Sequence, residues 1–157
     1  MADYYFDASA VVKKYVVESG SQFVSHILDF ESEHDAHMSD IGAVEVAAGL
    51  ARRGRDGDGV LAEIQGAIRE FHADFDIRWL AVPTTPRLLL NARNLAVKYF
   101  LRGYDAVHLA AACEAHRVLR RTRDAGLIFV SSDAALNAAA LSEELQVVDP
   151  TRLVEPG

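Results

Sequence analysis

Leu127-Ile128-Phe129-Val130, followed by Ser131-Ser132-Asp133, is the stretch on which the reading of the fold turns. A strand that is apolar at every position, rather than at alternate ones, is covered on both faces. That is the habit of parallel sheets held between helices. Downstream, Asp133 starts a short helix and Gln146-Val147-Val148 reads as a final strand. Upstream, Tyr4-Tyr5-Phe6 is a short aromatic strand, residues 36–39 form another, and Trp79-Leu80-Ala81-Val82 is a strand stopped by Pro83. Helical patterns lie between them. Residues 8–17 place Ala8, Val11, Val12 and Tyr15 on one face. A helix after Gly20 turns Val24, Ile27 and Leu28 inward, and Val44, Ala47, Ala48 and Ala51 repeat at helical spacing. Leu61, Ile64, Ile68, Phe71 and Phe75 make a clear amphipathic stripe, and Leu88, Ala92, Leu95 and Tyr99 another. Residues 106–115 are almost wholly apolar and predict a buried helix. Strands alternating with helices predict a parallel sheet between helical layers, with functional groups at the carboxyl ends of the strands.

The chain has 157 residues, the length of one domain, and residues 1–157 are read as a single domain. Residues 53–59 and 83–86 are rich in turn formers and are the predicted loops; neither is long enough to be a linker. Half of the residues are apolar and a quarter charged, a globular balance that excludes disorder. One cysteine, Cys113, excludes a disulfide scaffold. No apolar run reaches the roughly 18 residues of a membrane span, and the first residues carry no basic leader, so the expectation is a soluble cytoplasmic protein with no membrane partner. The net charge of −7 makes the chain a poor DNA-coating protein, since such binding rests on neutralising phosphates.

Four acids fall near strand ends or helix starts. Asp7 follows the first strand, Glu45 lies on the helix after residues 36–39, Asp105 opens the apolar helix, and Asp133 follows Leu127–Val130 after two serines. Each has a structural reading as well. Asp is a favoured helix cap, and an acid in a helix's first turn is stabilised by the helix dipole. If the four converge, their mutual repulsion calls for a counter-charge, and hard oxygen ligands suit Mg²⁺ or Mn²⁺. Such ions activate water and neutralise charge on a phosphoryl group.

Three stretches carry a family resemblance. Tyr5-Phe6-Asp7-Ala8-Ser9-Ala10-Val11-Val12-Lys13 resembles the opening motif of PIN-domain ribonucleases. Leu101-Arg102-Gly103-Tyr104-Asp105-Ala106-Val107-His108-Leu109-Ala110-Ala111-Ala112 resembles the central motif of their VapC-type toxin branch. Phe129-Val130-Ser131-Ser132-Asp133-Ala134-Ala135-Leu136 resembles the third motif, and Glu45 falls where the family has its glutamate. The resemblance spans essentially the whole chain. It implies a three-layer α/β/α PIN-like domain with a central, mostly parallel sheet of four or five strands. It also implies a metal-dependent endoribonuclease in which Asp7, Glu45, Asp105 and Asp133 hold Mg²⁺ or Mn²⁺. Ser131 and Ser9 would position a ligand or water, and Lys13 would contact an RNA phosphate. The implied partners are an RNA substrate, a small cognate antitoxin and a second copy of the chain; the apolar helix faces around Phe23, Val24 and Ile27 are read either as the dimer surface or as core. The residues alone leave open a catalytically silent binding module and a different metal-dependent phosphoesterase.

The segment 117–126 is longer and more basic than is common between the last two motifs. Its Arg117, Arg120, Arg121 and Arg123, like Arg52, Arg53 and Arg55, are read either as RNA-tracking charges or as a charged helix face. Asp124 is an alternative last acid, but it precedes the strand, and Asp133 is preferred. His34 and His37 lack the cysteine partners of a zinc site. His108, one turn after Asp105, is read as a packed, hydrogen-bonded histidine. Cys113 and Trp79 are read as core. No glycine-rich nucleotide loop occurs, and Asp7-Ala8-Ser9 lacks the second acid of an aspartyl-phosphate pair.

Overall fold

The computed structural model describes residues 1–29, 31–57 and 60–153. Among these, the chain runs β1 (Asp3–Phe6), α1 (Ala8–Tyr15), α2 (Ser21–Ile27), β2 (Asp35–Ser39), α3 (Gly42–Asp56), α4 (Leu61–Arg78) and β3 (Trp79–Val82). It continues with α5 (Pro86–Tyr99), α6 (Gly103–Thr122), β4 (Leu127–Val130), α7 (Ala134–Ser142), β5 (Gln146–Val148) and a 3₁₀ turn, Pro150–Arg152. The strands pair in the order β3-β2-β1-β4-β5, and every pairing is parallel. The expected three-layer sheet is therefore parallel throughout.

Two cores flank the sheet. On one side Tyr5 and Phe129 stack at 5.7 Å with 6° between their rings, against Leu109, Ala111 and Ala112 of α6. On the other, Phe6 meets Trp79 edge-on at 5.4 Å beside Val11, Val46 and Phe71. Adjacent residues of β1 thus face opposite cores, as successive strand side chains must. The alanines of α6 let this helix lie close to the sheet. Cys113 is partly buried and packs beside the first core, and Trp79 is buried in the second.

Several expectations shift. Residues 53–59 were predicted as a loop, but α3 continues through Asp56 and closes on Gly57, whose φ of 76° glycine adopts without strain. Asp58 and Gly59 lie outside the described residues. The α3 stripe also differs: Val46 and Leu50 are buried, whereas Val44 is exposed. The helix expected over 8–17 ends at Tyr15, and that over 106–115 extends from Gly103 to Thr122. The basic segment is thus largely the last turns of a helix, where positive charge complements the dipole. Val24 and Ile27, read either as dimer surface or as core, are core residues, and the half-buried Phe23 packs against the same core. Val24 and Ile27 cannot serve a partner without opening the fold.

Candidate active site

The parallel order places β1 between β2 and β4, so the segments after these three strands meet at one end of the sheet. Backbone bonds continue the ladder past the strand ends: Asp7 N–H donates to Val130 O over 3.2 Å and Asp40 N–H to Val82 O over 3.1 Å. Each strand then turns into a helix. Asp7 caps α1, its Oδ1 accepting from Ala10 N–H over 2.9 Å, and Asp133 caps α7, its Oδ1 accepting from Leu136 N–H over 2.9 Å. The structural reading of both acids is correct, and it does not compete with a functional one. A cap uses one carboxylate oxygen and leaves the second free for another partner.

Asp7 is at the centre. It is buried, and its Oδ1 also accepts from Ser9 Oγ at 2.7 Å while Oδ2 accepts from Ser131 Oγ at 2.6 Å. The two serines tie Asp7 to the third motif. Ser131 Oγ accepts from Asp133 N–H over 3.0 Å, and Ser9 Oγ accepts from Ser132 N–H over 3.1 Å. Burial raises the Asp7 carboxyl above the ordinary range, although His108 and the bonds from Ser131, Ser9 and Ala10 pull the other way. A carboxylate buried against its preference is one that a cation would stabilise.

Asp105 and Asp133 share Arg102. Its Nε is 3.1 Å from Asp105 Oδ2 and its Nη2 is 3.7 Å from Asp133 Oδ2. Asp105 chiefly, then Asp133, and in part Glu45, hold the guanidinium charge in place. Arg102 itself is highly exposed, so these contacts are weak and screened. Glu45 is anchored elsewhere: its Oε2 is 2.9 Å from Nε2 of the buried His108.

The four acids therefore occupy one end of the sheet in two linked groups. Asp7 and Asp133 are joined through serines, Asp105 is joined to Asp133 through Arg102, and Glu45 stands on His108. Among the described residues, no three Asp, Glu, His or Cys side chains stand close enough together to enclose one metal ion in this conformation. The donor chemistry nonetheless suits a hard cation. The available ligands are carboxylate and hydroxyl oxygens, Ser39 Oγ and Ser132 Oγ are buried without a hydrogen-bond partner, and the charge now opposing two of the acids is an exposed arginine.

Lys13 does not face this end with a free ammonium. It is buried and pairs with Glu18 at 3.0 Å, and Arg53 reaches the other oxygen of Glu18 at 2.9 Å. The basic segment is remote as well, since Arg123 pairs with Asp35 at 3.2 Å, at the start of β2. Asp124 is exposed and lies 3.8 Å from Arg120. His34 and His37 serve the fold: His34 accepts from Ala2 N–H and His37 bonds Asp3. Sequence reasoning did not single out Tyr5, Gly42 or Asp40, which holds Thr84. Arg102 was quoted only within its motif. Its position three residues before Asp105, one helical turn, was the available signal.

Two ribonucleases of Mycobacterium tuberculosis, VapC45 of strain CDC 1551 and VapC49 of strain H37Rv, are each 36% identical to this chain over 137 residues. The match covers 87% of this chain and 88% of each relative. Among solved structures, FitAcB from Neisseria gonorrhoeae superposes with a TM-score of 0.56 at 18% identity, covering 96% of this chain and 99% of that one. VapBC2 from Rickettsia felis, bound to a DNA fragment from the promoter, gives 0.57 at 10% identity, covering 93% and 97%. These two establish the likeness of fold. The family model of the PIN domain matches residues 4–141, which takes in all four acids, β2, β3, β4 and all of β1 but Asp3, and the chain belongs to that family.

Proposed function

We propose that the chain is a Mg²⁺- or Mn²⁺-dependent endoribonuclease and the toxin of a VapBC-type toxin–antitoxin pair. The observation that carries this reading is Asp7, a carboxylate buried at the end of the central strand and bonded through Ser131 to the segment that bears Asp133. A helix cap needs only one oxygen of each acid, so the negative charge gathered here exceeds what the two caps require. The two Mycobacterium tuberculosis relatives, both ribonucleases by name, support RNA as the substrate. Asp7, Asp105 and Asp133 would hold the ion, directly or through water, and Glu45 would bind it or orient the attacking water. When bound, the ion would lower the proton affinity of a water and offset charge on the phosphodiester. Ser131 and Ser9 hold Asp7 in a single orientation, and Asp133 keeps one oxygen on its helix cap.

The partner in this reading is a small cognate antitoxin, whose cationic side chain would compete for the same acids. Homodimerisation belongs to the same proposal, through a surface other than α2, whose apolar face is used by the core. The test is cleavage of a mixed tRNA and rRNA pool by the whole chain in Mg²⁺ or Mn²⁺, beside an EDTA control and Asp105→Ala. Discrete fragments are expected, lost in EDTA and in the variant. Fragments that persist in both controls would overturn metal-dependent cleavage at these acids.

A further inference from the structure

Glu45 differs from the other three acids in how it is held. Its side chain is partly exposed on the first turn of α3, and it meets neither a serine nor its own helix's backbone in the contacts that fix Asp7 and Asp133. What reaches it is a chain of groups from three elements. The Ser39 N–H donates to Tyr5 Oη over 3.2 Å; Tyr5 Oη is 2.9 Å from His108 Nδ1; His108 Nε2 is 2.9 Å from Glu45 Oε2.

One placement of protons satisfies all three contacts. A phenol has a single proton to give. Tyr5 Oη already accepts from Ser39, so that proton goes to Nδ1, and the N–H of the imidazole then lies on Nε2, aimed at the carboxylate. The other tautomer would leave the phenol proton without an acceptor in a fully buried place. It would also set a bare nitrogen lone pair against a carboxylate oxygen, and both are costly. Burial, opposed in part by the Ser39 N–H, raises the affinity of Tyr5 for its proton, so the phenol stays a donor.

The ring cannot turn away. His108 and Tyr5 are 1% and 0% exposed, and their rings meet edge-on at 6.0 Å. On the far side, a Cβ at Gly42 would come within 2.7 Å of His108 Cε1. Glycine at 42 is therefore what lets α3 bring Glu45 down to the imidazole.

We propose that His108 is a positioning residue for Glu45: the Ser39–Tyr5–His108 chain, wedged against Gly42, directs one N–H to Glu45 Oε2 and so fixes the orientation of that acid within the site. The proposal rests on the metal-site reading above. Second-layer bonds of this kind set the direction of a ligand, and their loss typically weakens metal binding by about 10–100-fold.

The experiment is calorimetric titration of Mn²⁺ into the whole chain, its Glu45→Gln, His108→Leu and His108→Gln variants, and the Glu45→Gln/His108→Leu double variant. Each is first checked for folding by circular dichroism and thermal melting. His108→Leu is expected to weaken Mn²⁺ binding about tenfold, and His108→Gln, whose amide donates from nearly the same place, to restore most of it. In the Glu45→Gln background, His108→Leu should cost no more than about twofold, because the two residues act as one unit. Losses that multiply instead would overturn the proposal. Should His108→Leu not fold, Tyr5→Phe replaces it in the same cycle with the same expectations. If the wild-type chain takes up no Mn²⁺, the metal-site reading fails, and ¹⁵N NMR of the imidazole judges the relay alone. A proton on Nε2 of His108 supports it, and one on Nδ1 overturns it.

Discussion

Asp7 is buried, yet it accepts hydrogen bonds from Ala10, Ser9 and Ser131, and burial still raises its proton affinity above the ordinary 3.8. A carboxyl that holds its proton more tightly in the folded chain than in the unfolded one lowers stability as it ionises. The folded state binds more protons between the two pKa values, so stability falls as pH rises above about 3.8 through the raised value. Asp7→Asn keeps the cap and removes the charge. In EDTA this variant should be at least as stable as the wild type at pH 7, with the difference closing as the pH falls toward 4; cleavage in Mn²⁺ should drop by about 100-fold or more. Denaturant melts across that pH range check the first part, and a wild type that gains on the variant as pH rises would refute it. At this scale the sequence was readable wherever partners are local. Asp7 with Ser9, and Ser131 with Asp133, sit within two positions of each other and could be paired on paper. Tyr5 and His108 are 103 positions apart, and only the folded sheet brings them to 2.9 Å. His108 could be read as a packed, bonded histidine but not as one whose second nitrogen faces Glu45.

β1 and β4 each lead into a helix, and the acid at the junction both caps that helix and belongs to the site. Asp133 closes the first turn of α7 through Leu136 N–H while its Oδ2 faces Arg102. The two roles separate by substitution. Asp133→Ala removes cap and charge together and should cost about 1 kcal/mol of stability, a fall of roughly 2–4 °C in melting temperature for a chain of this length. Asp133→Asn keeps an oxygen for Leu136 and should melt within about 1 °C of the wild type, although both variants lose cleavage. Equal melting temperatures for the two would mean that the cap contributes nothing. Elements with strong punctuation were legible in advance: β3 stops at Val82, just before Pro83, and β4 is apolar throughout, whereas Pro86, read as loop, is already the first residue of α5. Boundaries without such marks were not. Gly54 and Gly57 made residues 53–59 look like a loop, but a Cβ at Gly54 would come within 3.1 Å of Ile64 of α4, so α3 continues past Gly54 close against that helix.

The whole chain is acidic, and its positive charge is distributed unequally with respect to the sheet. Asp105 is in the first turn of α6, beside the acids that follow β1 and β4. Arg120 and Arg121 are in its last turn, and Arg123, just beyond, pairs with Asp35 at the opposite end of the strands. At 1.5 Å per residue, the fifteen positions from Asp105 to Arg120 separate the two by about 22 Å along the helix axis. Charges in water at that distance lie beyond the Debye length of about 8 Å at physiological salt. The basic segment therefore neither assists the acids electrostatically nor continues their surface, and its order in the sequence, directly ahead of the third motif, conceals this. The charge that does reach the acids is Arg102, at the other end of the same helix. The Arg120→Ala/Arg121→Ala double variant should accordingly cleave RNA within about twofold of the wild-type rate at 0.15 M salt. The same rate measured at low salt, where the screening length grows to about 30 Å at 0.01 M, should be the more sensitive of the two. A loss of tenfold or more at both ionic strengths would mean that the substrate reaches over the full length of α6, and that the binding surface is far larger than the crevice at the carboxyl ends of the strands.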